Sequence, residues 1–514
     1  MALAFVGEAR LMGALACLLL FWSGPVAAVP QATQNARPSD ATSDRLLTLK
    51  NDSSKLVLAL GLVGRLERLG EVELDKDGHT YDPDDLLNAQ VRVGLDYRHT
   101  FQKFIWLDVD YEHDLYTGIP WGGESPDVLS EPPSPSGGEM QLRRANLAIR
   151  LGYVELKGGY TMSHWGLGLI ANDGAHGWTP GSAYFGDPRS GDRVLRGQVL
   201  FGPFTSHKIV AVLAYDSVVG DDILIGDDEA TQFVGALVYG AGASRTVGVY
   251  GAYRSITHPD GRETTATALD VYGKWTQTLS KNYTLETAAE FVTVVGKTEL
   301  GPNPNFPEHD LLQFGFLSRT SVNAKRWGSV LDILYASGDQ NFDDDQTNAF
   351  QVDPNLEFGV LLYRHVLTAI SARIPITAGD PDLVGYPAQD LERLLTRGSA
   401  NNTMAVFPRI WWAPIPSFEV YGGPLFAFTA VELADPLNSR LNGGVPRNPY
   451  DADGGEYLGT ELDLGIRSRF NLAKTILTLG LEAAYFTPGS ALERRAGGPI
   501  DPVAGGRFIL SYDL

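Results

Sequence analysis

From Leu86 to Tyr116 the chain alternates in character with period two, in two runs joined by a short polar turn. In the first run Leu87, Ala89, Val91, Val93, Leu95 and Tyr97 share one face, and Asn88, Gln90, Arg92, Gly94, Asp96 and Arg98 the other. In the second, Ile105, Leu107, Val109 and Tyr111 oppose Trp106, Asp108, Asp110, Glu112 and Asp114. The pattern predicts a β-hairpin turning over His99–Lys103. Its polar face carries too many charges for a protein core, because unpaired buried charges are costly, so that face meets water. The apolar face needs cover, either from a second sheet in a sandwich or from acyl chains around a closed barrel.

The rest of the chain favours the barrel. From about Lys55 onward, similar segments recur, and their connections alternate between short turns and long polar loops. Short joins fall near 99–103, 151–154, 202–207, 240–244, 279–282, 322–326, 413–417 and 471–474. Long ones cover roughly 69–85, 117–139, 170–190, 219–230, 257–264, 297–309, 337–400, 431–455 and 488–503. Such a one-sided bias suits a barrel with one rim in a narrow periplasm and the other outside. The expected fold is therefore all-β, a transmembrane antiparallel barrel of about eighteen strands, sixteen being the alternative count.

One long connection, 337–400, carries structure of its own. Leu356 to Arg373 lacks clean alternation and is placed inside it rather than counted as a strand. In Pro387–Arg397 the spacing of Leu391, Leu394 and Leu395, with Asp390 early and Gly398 after, predicts a short amphipathic helix. The insert either enters the lumen or caps the rim.

At the N-terminus Arg10, the apolar run Leu11–Trp22 and the small residues Val26-Ala27-Ala28 read as a signal peptide over 1–28, with 29–54 a flexible periplasmic lead-in. Cys17, the single cysteine, lies within that run, so no disulfide framework is expected in the mature chain. The last strand, Gly506–Leu514, puts Phe508, Leu510, Tyr512 and Leu514 on one face, as in the terminal strands read by barrel-assembly machinery. Tyr97, Tyr111, Tyr116, Trp275, Trp411, Trp412, Tyr485 and Phe486 are candidates for interfacial girdles.

The strands' polar face is the candidate functional surface. Alternation assigns to it Arg92, Asp96, Asp108, Asp110, Glu112, Arg144, Arg150, Arg196, Asp332, Arg409, Glu461, Asp463, Arg467 and Arg469, together with Glu155, Lys157, Asp270, Lys274, Glu286 and Glu290. The formal net charge of -21 excludes nucleic acid as a main partner. Outer-membrane lipid and lipopolysaccharide are the expected surroundings, and a small solute or polysaccharide the expected cargo. Asp339, Asn341, Asp343 and Asp345 alternate like the start of a calcium loop. An EF-hand, however, needs glycine where Asp344 stands and glutamate where Phe350 stands, so only weak calcium binding is expected there. No other cofactor is implied. Ser163 adjoins His164, but neighbours in a strand point to opposite faces, and His113, His207, His258, His309 and His365 stand apart, so no enzyme is expected.

Two stretches carry a family likeness. Leu334–Phe350, LYASGDQNFDDDQTNAF, and Tyr457–Leu464, YLGTELDL, followed by Tyr485-Phe486-Thr487-Pro488-Gly489, resemble pieces of the porin-like, alginate-export-type outer-membrane barrels. Ser163–Gly168 before Asn172-Asp173-Gly174 is similar to barrel proteins of predatory and social bacteria. The first likeness implies an outer-membrane conduit for an anionic polysaccharide with a basic lining, whereas this chain is strongly acidic. The expected function is passage of a solute or polysaccharide across the outer membrane. The alternatives are a non-conducting barrel that binds a partner or lipopolysaccharide through acidic loops, and an outer-membrane hydrolase.

Overall fold

The computed structural model describes residues 47–83, 85–121, 139–174, 181–186, 191–221, 223–301, 305–378, 390–472 and 475–513. The expected signal peptide and most of the expected lead-in lie outside these residues, as does Leu514.

Eighteen antiparallel strands form the wall. They are β1 (Ser54–Leu69), β2 (Leu86–Gln102), β3 (Ile105–Trp121), β4 (Glu139–Leu151), β5 (Val154–Met162) and β6 (Arg193–Phe204). Then come β7 (Ile209–Gly220), β8 (Glu229–Tyr239), β9 (Arg245–Thr257), β10 (Glu263–Ser280), β11 (Tyr283–Thr298) and β12 (His309–Asn323). The last six are β13 (Trp327–Ala336), β14 (Thr403–Ile415), β15 (Phe418–Phe428), β16 (Tyr457–Leu472), β17 (Thr475–Pro488) and β18 (Val503–Asp513). Each pairs with its sequence neighbour, and β1 pairs with β18 from Leu69↔Gly505 to Gly61↔Asp513, which closes the sheet. Beyond that register Leu47–Lys50, read above as lead-in, pair with Lys55–Leu58 of β1. They continue the line of β18 and cover backbone groups that would otherwise form an open edge.

Alternation sets the two faces. On β10, Leu269 and Val271 are 52% and 43% exposed while Asp270 between them is fully buried; Leu462, Asp463 and Leu464 repeat this on β16. An outer surface bearing Leu213, Phe233, Ile410, Leu481 and many similar exposed side chains far exceeds what a soluble monomer exposes, and it matches a lipid-facing waist. Trp275, Trp412, Tyr485 and Tyr111 belong to this exposed set. Trp411 and Phe486 do not: they are buried and face inward, which corrects the girdle assignment for these two. Trp411 precedes Trp412 on one strand, so only one of the pair can face lipid.

The lumen is not simply a wet channel. The described residues of the connection after β5 (163–174, 181–186 and 191–192) and of the connection after β13 (337–378 and 390–402) enter it. Leu169, Ala183 and Phe185 from the first and Phe350, Val352, Leu356, Phe358, Val360, Leu361, Leu362 and Val366 from the second form a hydrophobic core. That core packs on inward Val292, Leu317, Leu334, Phe407, Leu425 and Phe486. Leu356–Arg373 makes no strand, as expected. A π-helical turn, Leu362–Leu367, runs into α1, Thr368–Ala378. Every described side chain from Leu362 to Ile374 is buried, and a helix covered on all sides needs no amphipathic period for the sequence to display.

The helix expected over 387–397 is reduced to a single 3₁₀ turn, Leu391–Leu394; residues 387–389 lie outside the described set. Asp390 does not cap it. Its φ is +60° and its carboxylate is taken by Arg262 at 2.6 and 3.0 Å, so the first turn's N–H groups lack the acceptor that the sequence offered.

Candidate conduit and its two inserts

The inward residues of β2 to β7 meet as opposite charges. Arg92 pairs with Asp114 (2.6 Å), Arg98 with Asp108 (2.5 Å), Arg150 with Glu155 (3.3 Å) and Arg196 with Asp216 (2.7 Å). Asp96 and Asp110 sit opposite each other across β2 and β3. Glu112 receives Arg143 at 2.7 Å, and Arg144 reaches Asp173 of the first insert at 3.4 Å. Arg143 escaped the sequence reading because strict alternation sends it to lipid. The β3–β4 register slips between Glu112↔Arg144 and His113↔Leu142, and the extra residue in that bulge turns both arginines inward.

On the far wall an arginine row is already engaged. Arg409 of β14 binds Asp332 (2.5 Å), which also takes Arg319 (2.8 Å). Arg467 and Arg507 share the fully buried Glu482, and Arg507 also reaches Glu357 of the second insert at 2.7 Å. The same three guanidiniums donate to consecutive insert carbonyls: Arg409 to Ala183 (3.1 Å), Arg467 to Tyr184 (2.8 Å) and Arg507 to Phe185 (2.8 Å). Burial pushes the Glu357 carboxyl up despite Arg507 beside it. Arg319, Glu482 and Arg507 also face inward, each in phase with its strand, beyond the residues assigned to the polar face above. Arg469 lies near the periplasmic end of β16, half-buried.

Two wall carboxylates latch the inserts through backbone. Glu461, fully buried on β16, accepts from Val360 N (2.6 Å), Leu361 N (2.8 Å) and Leu362 N (2.7 Å), the N–H groups that open the helical segment. This joins charge-assisted hydrogen bonds to the positive end of a helix. Asp463 is the next inward residue and also fully buried. On β11, Glu290 accepts from Leu167 N and from Leu169 N (3.2 Å), while Asp270 on β10 accepts from the Trp165 indole at 2.8 Å. Gly166, at φ +59°, lies so close to Glu290 that a side chain there would collide with the carboxylate.

A third tie lies in the extracellular loops. Asp228 binds His258 (2.7 Å) and Arg393 of the second insert (3.1 Å). Burial opposes its ionisation, but the hydrogen bonds from Arg393 and His258 outweigh burial and hold its carboxyl below the usual carboxylate range. With a depressed folded pKa, the tie contributes fully above the unfolded carboxylate value and is lost only as pH falls through the lower folded value. Amide-exchange protection of the 390–397 segment should therefore stay the same from neutral pH down to the ordinary carboxylate range, whereas Asp228→Asn should loosen that segment and lower its protection at every pH.

The acidic loop turns its oxygens on itself. Asp339 accepts from Asn341 N (3.0 Å) and Asn348 N (3.1 Å), Asn341 Nδ2 donates to Asp344 (2.9 Å), and Asp343 meets Arg440 (3.4 Å). Asp345 contributes a backbone carbonyl to Asp310 N at 2.8 Å. Burial raises the Asp339 carboxyl. Among the described residues no group of three or more His, Cys, Asp or Glu is placed to hold a metal ion. Ser163 Oγ accepts from Arg196 (2.8 Å), and His164 Nδ1 lies 3.8 Å from Asp173, so these neighbours serve separate partners.

No protein-family model and no curated protein matches the sequence. Solved structures do. Pseudomonas aeruginosa OccK2 (OpdF) is similar at a TM-score of 0.51 and 12% identity, over 89% of this chain and 97% of that one. OprD from the same organism is similar at 0.50 and 12%, over 94% and 99%. The chain folds as an eighteen-stranded outer-membrane barrel. At this identity the likeness carries the architecture and leaves cargo to the lumen's own chemistry. OccK2 has also been solved in complex with glucuronate, a match at a TM-score of 0.48.

Proposed function

We propose that the protein is a restricted channel that passes small solutes across the bacterial outer membrane. The observation that carries this reading is the pair of lumen inserts, each tied to the wall by buried carboxylates and arginines, which narrow a barrel otherwise wide enough for water and solute. A polysaccharide of the kind the alginate-export resemblance implies would need a continuous free track. Here Arg409, Arg467 and Arg507 already bind carboxylates and insert carbonyls, which weighs towards small solutes.

The test is to refold the mature chain into planar bilayers and record single-channel currents and the reversal potential in a potassium chloride gradient. Small, steady steps with cation preference are expected, since the chain's charge of -21 biases the permeation path towards cations. Silence from both the wild type and Glu461→Ala would reject the channel reading in favour of a non-conducting binding barrel.

A further inference from the structure

The inner face of β6 to β11 changes character along the barrel. At the level of Arg196, Asp216 and Asp270 it is charged. Towards the extracellular end its inward residues become apolar: Val194, Val218, Ala230 and Ile256 are all buried and pack together. This departs from the uniformly polar inner face that alternation suggests, and nothing in closing a barrel requires it. Opposite this wall stand Phe350, Val352 and Leu395 of the second insert, and between the two lies a cavity of about 350 Å³. That volume, with a surface that is mostly apolar although charged and polar side chains border it, is typical of a small-molecule site.

The charges around the cavity are spoken for. Arg254 is paired with Asp221 and accepted by Gln232 (3.0 Å), Arg393 with Asp228 (3.1 Å), and Asp390 with Arg262 (2.6 Å). An anionic solute would have to shed its water here without finding a spare cation. Tyr250, 9% exposed, lines the cavity on its apolar wall, and its hydroxyl has no hydrogen-bond partner among the described residues. Its ring is held by Trp165, with centroids 5.3 Å apart, and the Trp165 indole is fixed in turn on Asp270. A hydroxyl that opens onto the cavity and makes no bond to the protein is available to a solute.

We propose that this cavity binds a neutral, ring-sized solute with an apolar body and a single hydroxyl or carbonyl, oriented by the Tyr250 hydroxyl. The proposal rests on the channel reading and names the class of solute the channel selects.

The test is calorimetric titration of the refolded mature protein in lipid nanodiscs, with empty nanodiscs subtracted. Cyclohexanol, cyclohexanecarboxylate and inositol serve as ring-sized probes that differ in charge and polarity. Saturable one-to-one binding of cyclohexanol is expected, with the carboxylate and inositol weaker by at least about tenfold. Tyr250→Phe, which preserves shape, should weaken cyclohexanol about fivefold. Ile256→Asn, checked for wild-type heat-dependent gel mobility, should weaken it by more than about tenfold. Equal binding of the carboxylate, heats matching empty nanodiscs, or wild-type affinity in both variants would overturn the proposal. Saturable binding in a barrel that never conducts would keep the site and remove the channel, while conduction without saturable binding would do the reverse.

Discussion

Glu461→Ala should release the second insert and turn small steady currents into larger, noisier ones. The carboxylate satisfies three backbone N–H groups of a buried segment, at 2.6 to 2.8 Å, and alanine supplies no acceptor. Each donor left buried without a partner costs about 1–3 kcal/mol, so the docked arrangement loses at least about 3 kcal/mol. That corresponds to roughly a hundredfold shift in the ratio of docked to undocked insert. The wall itself should stay intact, because its ladder bonds do not involve this side chain. Backbone amide exchange at residues 360–362 should accelerate in parallel with the current. Glu461→Gln, which keeps one acceptor oxygen, should fall between the two. Wild-type currents with wild-type protection in the alanine variant would show that the inserts are held elsewhere.

Arg507→Ala should have the largest effect on stability. Its guanidinium is 2% exposed and neutralises Glu482 (2.5 Å) and Glu357 (2.7 Å) while donating to Phe185 O (2.8 Å). Removing it leaves Glu357 with no other ion-pair partner among the described residues and Glu482 with Arg467 alone. Breaking a buried pair in this way costs about 3–5 kcal/mol, and the loss should appear as a lower urea midpoint for unfolding from lipid vesicles. Adding Glu357→Leu to Arg507→Met should recover part of it, because an apolar replacement removes the stranded charge rather than leaving it. No recovery in the double variant would mean that Glu357 is not stabilised by Arg507.

How legible all this is in the sequence follows from what reports locally. Leu269-Asp270-Val271 and Leu462-Asp463-Leu464 declare their faces because lipid on one side and polar partners on the other select opposite residue types at alternate positions. The eight short turns stood out because the periplasmic joins are tight. Arg143 was hidden because a bulge breaks the period by one residue without leaving a mark in composition. The aromatic pair Trp411-Trp412 could only be divided once the strand's phase was known. Among the candidate conduit residues, Arg92, Arg196 and Asp332 could be placed on a face, but not matched to Asp114, Asp216 and Arg409, since partners lie on other strands.

The sequence alone determined a closed antiparallel wall of about eighteen strands, with sixteen as the alternative count and the short turns expected on the periplasmic side. These depend on period, on turn length and on the rule that backbone in hydrocarbon must pair. Only the tertiary structure decided what fills the barrel. The connection after β5 reads as a loop, and the sequence leaves the 337–400 insert free to enter the lumen or to cap the rim, because the order of both comes from contacts far along the chain: Glu461 with Val360, Arg507 with Phe185, Glu290 with Leu167. A buried insert enclosed on every side has no solvent face, and so no period by which a sequence could announce it.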